Sequence, residues 1–177
     1  MKPTGDEHEG GRSSAPDRPS VAEERLAAMG LTLPSVPTPV GNFDLGSVDG
    51  TTLYLSGQGP VLENGELARG KVGLDVTAEE AAHHAMRTGL VLISAMKEIL
   101  GSLDHVVQVR KVFGMVNGTS DFSDHPKVID GCSELFAQAF GARGRHARAA
   151  VGMGSLPGNI TVEIDAILSI SPDWRPG

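Results

Sequence analysis

Near the end of the chain the apolar residues fall on every second position: Ile160, Val162, Ile164, Ala166, Leu168 and Ile170. That is the period-two signature of a half-buried strand. Thr161, Glu163 and Asp165 take the other parity, which turns them away from the apolar layer. Residues 147–153 read as the strand before it, with a break over 154–159, so the last third of the chain predicts strand, turn and strand. Another hairpin is written further upstream, where residues 43–48 and 52–57 flank Asp49-Gly50, a two-residue turn signal. Val-rich residues 104–116 predict a central strand.

A different rhythm follows Thr77. Ala82, Ala85, Met86, Gly89, Ile93, Met96 and Leu100 recur at threes and fours, the spacing of one helical face. Thr77 with Glu80 makes a capping box, and Gly101 supplies the stop. The small residues early in the stripe permit close approach to a sheet. Val128, Ile129, Cys132, Leu135, Phe136, Ala139 and Phe140 give a second amphipathic helix, opened by Pro126 and closed by Gly141. Ser20 with Glu23 starts a short helix ending at Gly30, and residues 33–39 are Pro-rich and extended. The order strand, strand, helix, strand, helix, strand, strand predicts an α+β fold with one sheet and both helices packed on one face. The other face of that sheet then needs cover.

Composition narrows the class. With 177 residues, 40% hydrophobic and 21% charged, the chain suits one core of ordinary globular composition. Residues 20–171 form the expected domain. Residues 1–19 are too polar to offset the entropy of ordering and read as a disordered tail, and residues 172–177 as a C-terminal tail. The net charge of −7 disfavours a nucleic-acid footprint spread over the surface. One cysteine, Cys132, permits no internal disulfide and fits a reducing cytoplasm. It lies on the apolar face of its helix, which predicts a buried, inert thiol. No apolar run is long enough to span a bilayer. His83 and His84 are adjacent on a helix and diverge, so they lack the i, i+4 geometry of a metal pair. No metal site or cofactor is expected.

Candidate chemistry concentrates in residues 141–170. Arg143, Arg145, His146 and Arg148 form a cationic cluster in an acidic chain. His146 and Arg148, two residues apart on a strand, share a face. An inward arginine must meet an anion. That anion is either Glu163 or Asp165 in a structural salt bridge, or a ligand carboxylate held by the guanidinium fork. Arg143 and Arg145 lie in a Gly-rich approach that carries side chains to solvent. Residues 57–60, Gly-Gln-Gly-Pro, end a strand either as a plain turn or with backbone groups directed into a site.

Three strings in this order, GKVGLDVTAEEA, VNGTSDFSDHPKVIDGCSELF and HARAAVGMGSLPGNITVEIDAI, resemble the RidA (YjgF-like, L-PSP endoribonuclease-like) family. The third string resembles the family's closing hairpin, and the first two are similar to its branch described as endoribonucleases of chorismate-mutase-like fold. The resemblance runs from about Leu31 to Ile170. It implies a chorismate-mutase-like trimer whose inward-turned sheets cover the bare face. It also implies a cleft between subunits where Arg148 of one chain and Phe43 of the next meet.

In RidA-type deaminases the arginine at the position of Arg148 holds the carboxylate of a 2-imino or 2-enamino acid. The glutamate at the position of Glu163 sits near the water that hydrolyses the C=N bond. Ser56 and Gly57 fall on a stretch lining that site. Three positions depart from the pattern: Phe43 replaces a tyrosine, Ala150 a cysteine and Asp130 an asparagine, the last adding a charge that either repels a carboxylate or pairs with an arginine, so the pocket around Arg148 and Glu163 is changed. The resemblance implies an imine/enamine deaminase acting on a small carboxylate. Two other functions stay open, an endoribonuclease and a non-catalytic trimer that binds small acids. Acidity and the scarcity of Trp and Tyr for base stacking disfavour RNA.

Overall fold

The computed structural model describes residues 19–38 and 41–176. The expected tail over residues 1–19 therefore lies outside the described residues, apart from Pro19. Helix α1 (Val21–Ala28) begins at the Ser20–Glu23 capping box, and α2 (Ala78–Leu100) begins at the reciprocal box of Thr77 and Glu80. Gly101, at φ 77°, ends α2 in the left-handed region that glycine enters without a Cβ penalty. Strands β1 (Gly46–Asp49) and β2 (Thr52–Gln58) form the first hairpin. Asp49 pairs with Thr52, so the turn is Gly50-Thr51, one residue later than the sequence suggested, and Phe43 precedes the strand. Strand β3 (Val106–Val116), helix α3 (His125–Phe140), strand β4 (Ala147–Gly152) and strand β5 (Val162–Ile170) complete the domain.

The sheet order is β1-β2-β5-β3-β4. β4 and β5 are not a paired hairpin, which corrects the strand–turn–strand reading. β5 inserts antiparallel between β2 and β3, and β4 lies parallel to β3 at the edge. The period-two pattern of each strand was right, but pairing partners are a long-range choice that alternation does not encode. β5 is the central strand; its five residues of apolar parity, and Ile160 just before it, are at most 6% exposed. Thr161 is the exception to the opposite parity: it precedes the strand, is buried, and lies 3.1 Å from Nδ1 of His84 through its hydroxyl.

Both long helices pack on the buried face of the sheet. The small residues of α2 serve a different neighbour from the one expected. A Cβ on Gly89 would crowd Leu135 and Cys132 of α3, and one on Gly131 would strike the backbone carbonyl of Ala82. The close approach is therefore helix to helix, with α2 and α3 meeting across Gly89 and Gly131. The segment after β5 turns back, and the indole N–H of Trp174 donates to the carbonyl of Leu100 at 3.1 Å. Among the described residues, the other sheet face carries no helix. It presents Tyr54, Phe113, Met115 and Ile167, with Tyr54 46% exposed.

Candidate active site

The register decides where the two candidate catalytic residues point. Arg148 pairs with Val112, which is fully buried beneath the helices, so Arg148 also projects to the helical side, at the edge strand. There α3 meets it. Nη1 of Arg148 donates to Oδ1 of Asp130 at 2.7 Å and to Oγ of Ser133 at 3.0 Å. The anion that the sequence demanded is thus Asp130, and neither Glu163 nor Asp165. Among the described residues Nε and Nη2 donate to nothing, so one edge of the guanidinium is uncommitted.

A directional chain extends from this contact. Nδ1 of His146 lies 2.7 Å from the carbonyl of Gly144, which can only accept, so Nδ1 carries the proton. Nε2 is then the acceptor for the hydroxyl of Ser133, 3.0 Å away, leaving the Ser133 oxygen to accept from Arg148. Burial, and to a smaller degree the Arg148 charge, hold the His146 pKa below its ordinary value, which keeps this neutral tautomer. The group borders a cavity of about 360 Å³ between β4 and α3, lined by Ser133, Glu134, Ala137, Gly144, Arg145, His146 and Arg148. Ser133 was not singled out in the sequence. Its spacing of three from Asp130 on one helix was the available signal, since residues at i and i+3 are neighbours.

Ala150 lies two residues along β4 from Arg148 and pairs with Gly114, on the same side. Its methyl packs against the core. Arg143 does not reach out to solvent as expected, because Nη1 donates to the carbonyl of Val106 at 2.8 Å. Arg145 is exposed. Cys132 is buried, and burial pushes its thiol up to about 12.

The remaining candidates gather on the other side of the sheet. Glu163 pairs with Met115 and Asp165 with Phe113, on the face without helices. Leu55 pairs with Ala166 and Gln58 with Ile164, so Ser56 and Gly57 together oppose Asp165 in a bulge. A Cβ on Gly57 would overlap the Glu163 carboxylate, so the missing side chain is what makes room for it. The Ser56 hydroxyl donates to the carbonyl of Asp44 at 2.6 Å, which ties the 43–45 segment, and Phe43 with it, beside the bulge. Burial, then the neighbouring Asp165 charge, push the Glu163 carboxyl above its ordinary pKa. Burial raises Asp165 as well, with Lys111 opposing.

The structure thus brings together Arg148, Asp130 and Ala150 on one side, and Ser56, Gly57 and Glu163 on the other, with Phe43 exposed in the segment that Ser56 holds. It does not bring Arg148 and Glu163 together within one chain. No group of three His, Cys, Asp or Glu is placed to hold a metal ion among the described residues.

Known proteins share this architecture. The crystal structure of Atu1372 from Agrobacterium tumefaciens, a protein of unknown function, is 41% identical with a TM-score of 0.78, covering 85% of this chain and 92% of that one. Protein TCP17 of Trypanosoma cruzi is 35% identical over 156 residues, 85% of this chain and 98% of its own. A 2-iminobutanoate/2-iminopropanoate deaminase of Dermatophagoides farinae is 30% identical over 142 residues, 79% of this chain and 94% of its own. The family described as "YjgF/chorismate mutase-like, putative endoribonuclease" matches residues 23–165. With that match across most of its length, and with the mixed sheet and one-sided helices just described, the chain belongs to the RidA/YjgF-like family.

Proposed function

We propose that the protein hydrolyses 2-imino or 2-enamino acids to 2-oxo acids and ammonia, in clefts between the subunits of a homotrimer. The observation that carries this reading is the placement of Arg148 and Glu163 on opposite faces of one sheet. A cleft that uses both must take one from each of two chains. The apolar face bearing Tyr54, Phe113, Met115 and Ile167 supplies a reason for the chains to associate. The identity to the mite deaminase supports the reaction class.

In this reading the free Nε/Nη2 edge of Arg148 binds the substrate carboxylate in two parallel hydrogen bonds. Asp130 and Ser133 fix the guanidinium through Nη1, so its orientation is set before substrate arrives. Glu163 of the neighbouring chain orders the water that adds to C2. It passes a proton from that water to the nitrogen as the C–O bond forms, giving a carbinolamine; it then carries the hydroxyl proton to the same nitrogen, so the C=O of the 2-oxo acid forms, the C–N bond breaks and ammonia leaves. A carboxyl whose pKa is raised above its ordinary value by burial is better able both to take and to return a proton. The step needs orientation, a charge clamp and one proton-handling group, and no organic cofactor. Phe43 offers the substrate an apolar wall without a hydroxyl. RNA cleavage is the weaker reading, because Arg143 already donates to a backbone carbonyl and His146 is held toward its neutral form.

Co-expression of Arg148→Ala and Glu163→Gln chains tests the shared cleft with freshly generated 2-iminopropionate as substrate. Each variant alone should be inactive. Random mixed trimers should recover about a quarter of the wild-type rate, because one interface in four then carries both intact residues. Absence of any recovery in verified mixed trimers would refute the shared cleft. An inactive wild-type protein would refute the reaction.

A further inference from the structure

A second arginine is placed in a way that the RidA-like cleft does not use. Arg87 lies in the middle of α2 and is only 7% exposed. Its Nε donates to the carbonyl of Val61 at 2.8 Å. Among the described residues, neither Nη nitrogen has a hydrogen-bond partner, and no carboxylate stands within ion-pair distance. No fully buried side-chain nitrogen lacks a partner in the structure. The two Nη atoms therefore touch open space, and Arg87 lines a cavity of about 700 Å³. None of the residues lining this cavity lines the one at Arg148.

A guanidinium nine-tenths removed from solvent and unpaired is costly unless an anion meets it. The cavity walls say what kind of anion. Leu33, Val36, Leu62 and Leu67 are apolar, and Pro34 and Pro37 stiffen the strap that closes over them. Among the described residues, the only other charged group on the lining is Glu63, which is exposed and sits in the 61–67 turn. A second negative charge on the ligand would meet that carboxylate. The volume falls within the roughly 300–1,000 Å³ of small-molecule sites.

We infer that this cavity is a binding site for a small monocarboxylate with an apolar body, its carboxylate on the Nη edge of Arg87 and its hydrocarbon against Leu33, Val36 and Leu67. The fork accepts two carboxylate oxygens in one plane, and the apolar walls reward removal of the ligand's body from water. The inference stands independently of the imine-hydrolase reading.

Hexanoate is the probe, titrated calorimetrically into the full chain carrying Arg148→Ala, so that the first guanidinium contributes nothing. Hexanoate should bind saturably, once per chain, and at least about tenfold more tightly than hexylamine or adipate, the scale of one charged hydrogen bond. Leu67→Trp fills the cavity and leaves Arg87 with its Val61 contact, so it should weaken hexanoate at least about tenfold with the melting temperature kept. Arg87→Met should do the same where it folds. No saturable binding, equal binding of hexylamine, or full affinity in Leu67→Trp would each overturn the site.

Discussion

Arg148 is clasped by a helix, whereas Glu163 stands on a face with no helix over it. The arginine receives Asp130, Ser133 and, through Ser133, His146, all from its own chain. The glutamate receives only space, cleared by Gly57, and the charge of Asp165 beside it. One half of the candidate site is thus preorganised within the monomer. The other half has a carboxyl already displaced upward in pKa by partial burial, and any further cover would displace it more. In the proposed reaction the labour divides along this difference: the helical side fixes a charge for binding, and the open side tunes a charge for proton transfer.

The comparison breaks most visibly at Glu163. Glu163→Gln keeps shape and removes the proton carrier, so kcat for imine hydrolysis should fall roughly 100- to 10,000-fold, the range for general acid–base groups. KM should change little. Arg148→Ala should act the other way, on binding, and lower kcat/KM about 100-fold or more as two charged hydrogen bonds are lost. Its stability cost should be about 1 kcal/mol or less, because Asp130 is half exposed and rehydrates. A large fall in melting temperature with KM unchanged would make Arg148 a structural residue. Steady-state kinetics and thermal melts on both variants read the split.

Glycines sharpen it next, on the scale of stability. Gly131→Ala drives a methyl into the backbone carbonyl of Ala82, which cannot retreat without parting α2 from α3. It should cost about 1–3 kcal/mol or more, the range for overpacking. Gly57→Ala meets only the end of the Glu163 side chain, which can swing away. Chemical denaturation should show it the milder of the two, with activity lost as the carboxylate moves.

Much of this molecule was legible before its structure. Caps, stops and periods are local, so the Thr77–Glu80 box, the Gly101 stop and the buried parity of β5 followed from neighbours within four residues. The insertion of β5 between β2 and β3 did not, because either order buries the same alternating side chains. The consequence for the site was direct. A hairpin of the last two strands would have put Arg148 beside Glu163, and the parallel β3–β4 pairing sends them to opposite faces. Asp130 was visible as a charge on α3 able to pair with an arginine or repel a carboxylate, but which arginine was not, since that contact spans two elements whose register was unknown. Arg87 offered no signal among the apolar residues of α2.

The pH profile probes the open face more gently. Glu163 and Asp165 both have folded pKa values above their ordinary ones. The folded chain therefore holds more protons than the unfolded chain as pH rises from the ordinary carboxyl range. The stability these groups contribute is present below that range and is lost as pH climbs through the raised values. Glu163→Gln removes one of them, so its melting temperature should decline less than wild type as pH rises above the ordinary carboxyl range of about 4. Parallel curves for the two proteins would show that Glu163 is not desolvated in solution.

Asp130 gives the smallest and most discriminating effect, because it touches the binding half without removing anything that binding needs. Its carboxylate accepts from Nη1 of Arg148 and neutralises part of the charge that a ligand carboxylate would otherwise meet. Asp130→Asn keeps an oxygen in place to accept the same hydrogen bond and deletes the competing charge. The guanidinium stays oriented by Ser133. A substrate or product carboxylate should then bind roughly two- to fivefold more tightly, the scale of one partly exposed ion pair. The melting temperature should fall slightly, since the pair with Arg148 becomes an ordinary hydrogen bond. Titration of a 2-oxo acid product into both proteins measures the difference at equilibrium, apart from any effect on turnover. Weaker binding in Asp130→Asn would mean that the negative charge itself holds Arg148 in its productive rotamer, and the preorganised half of the comparison would then depend on Asp130 alone.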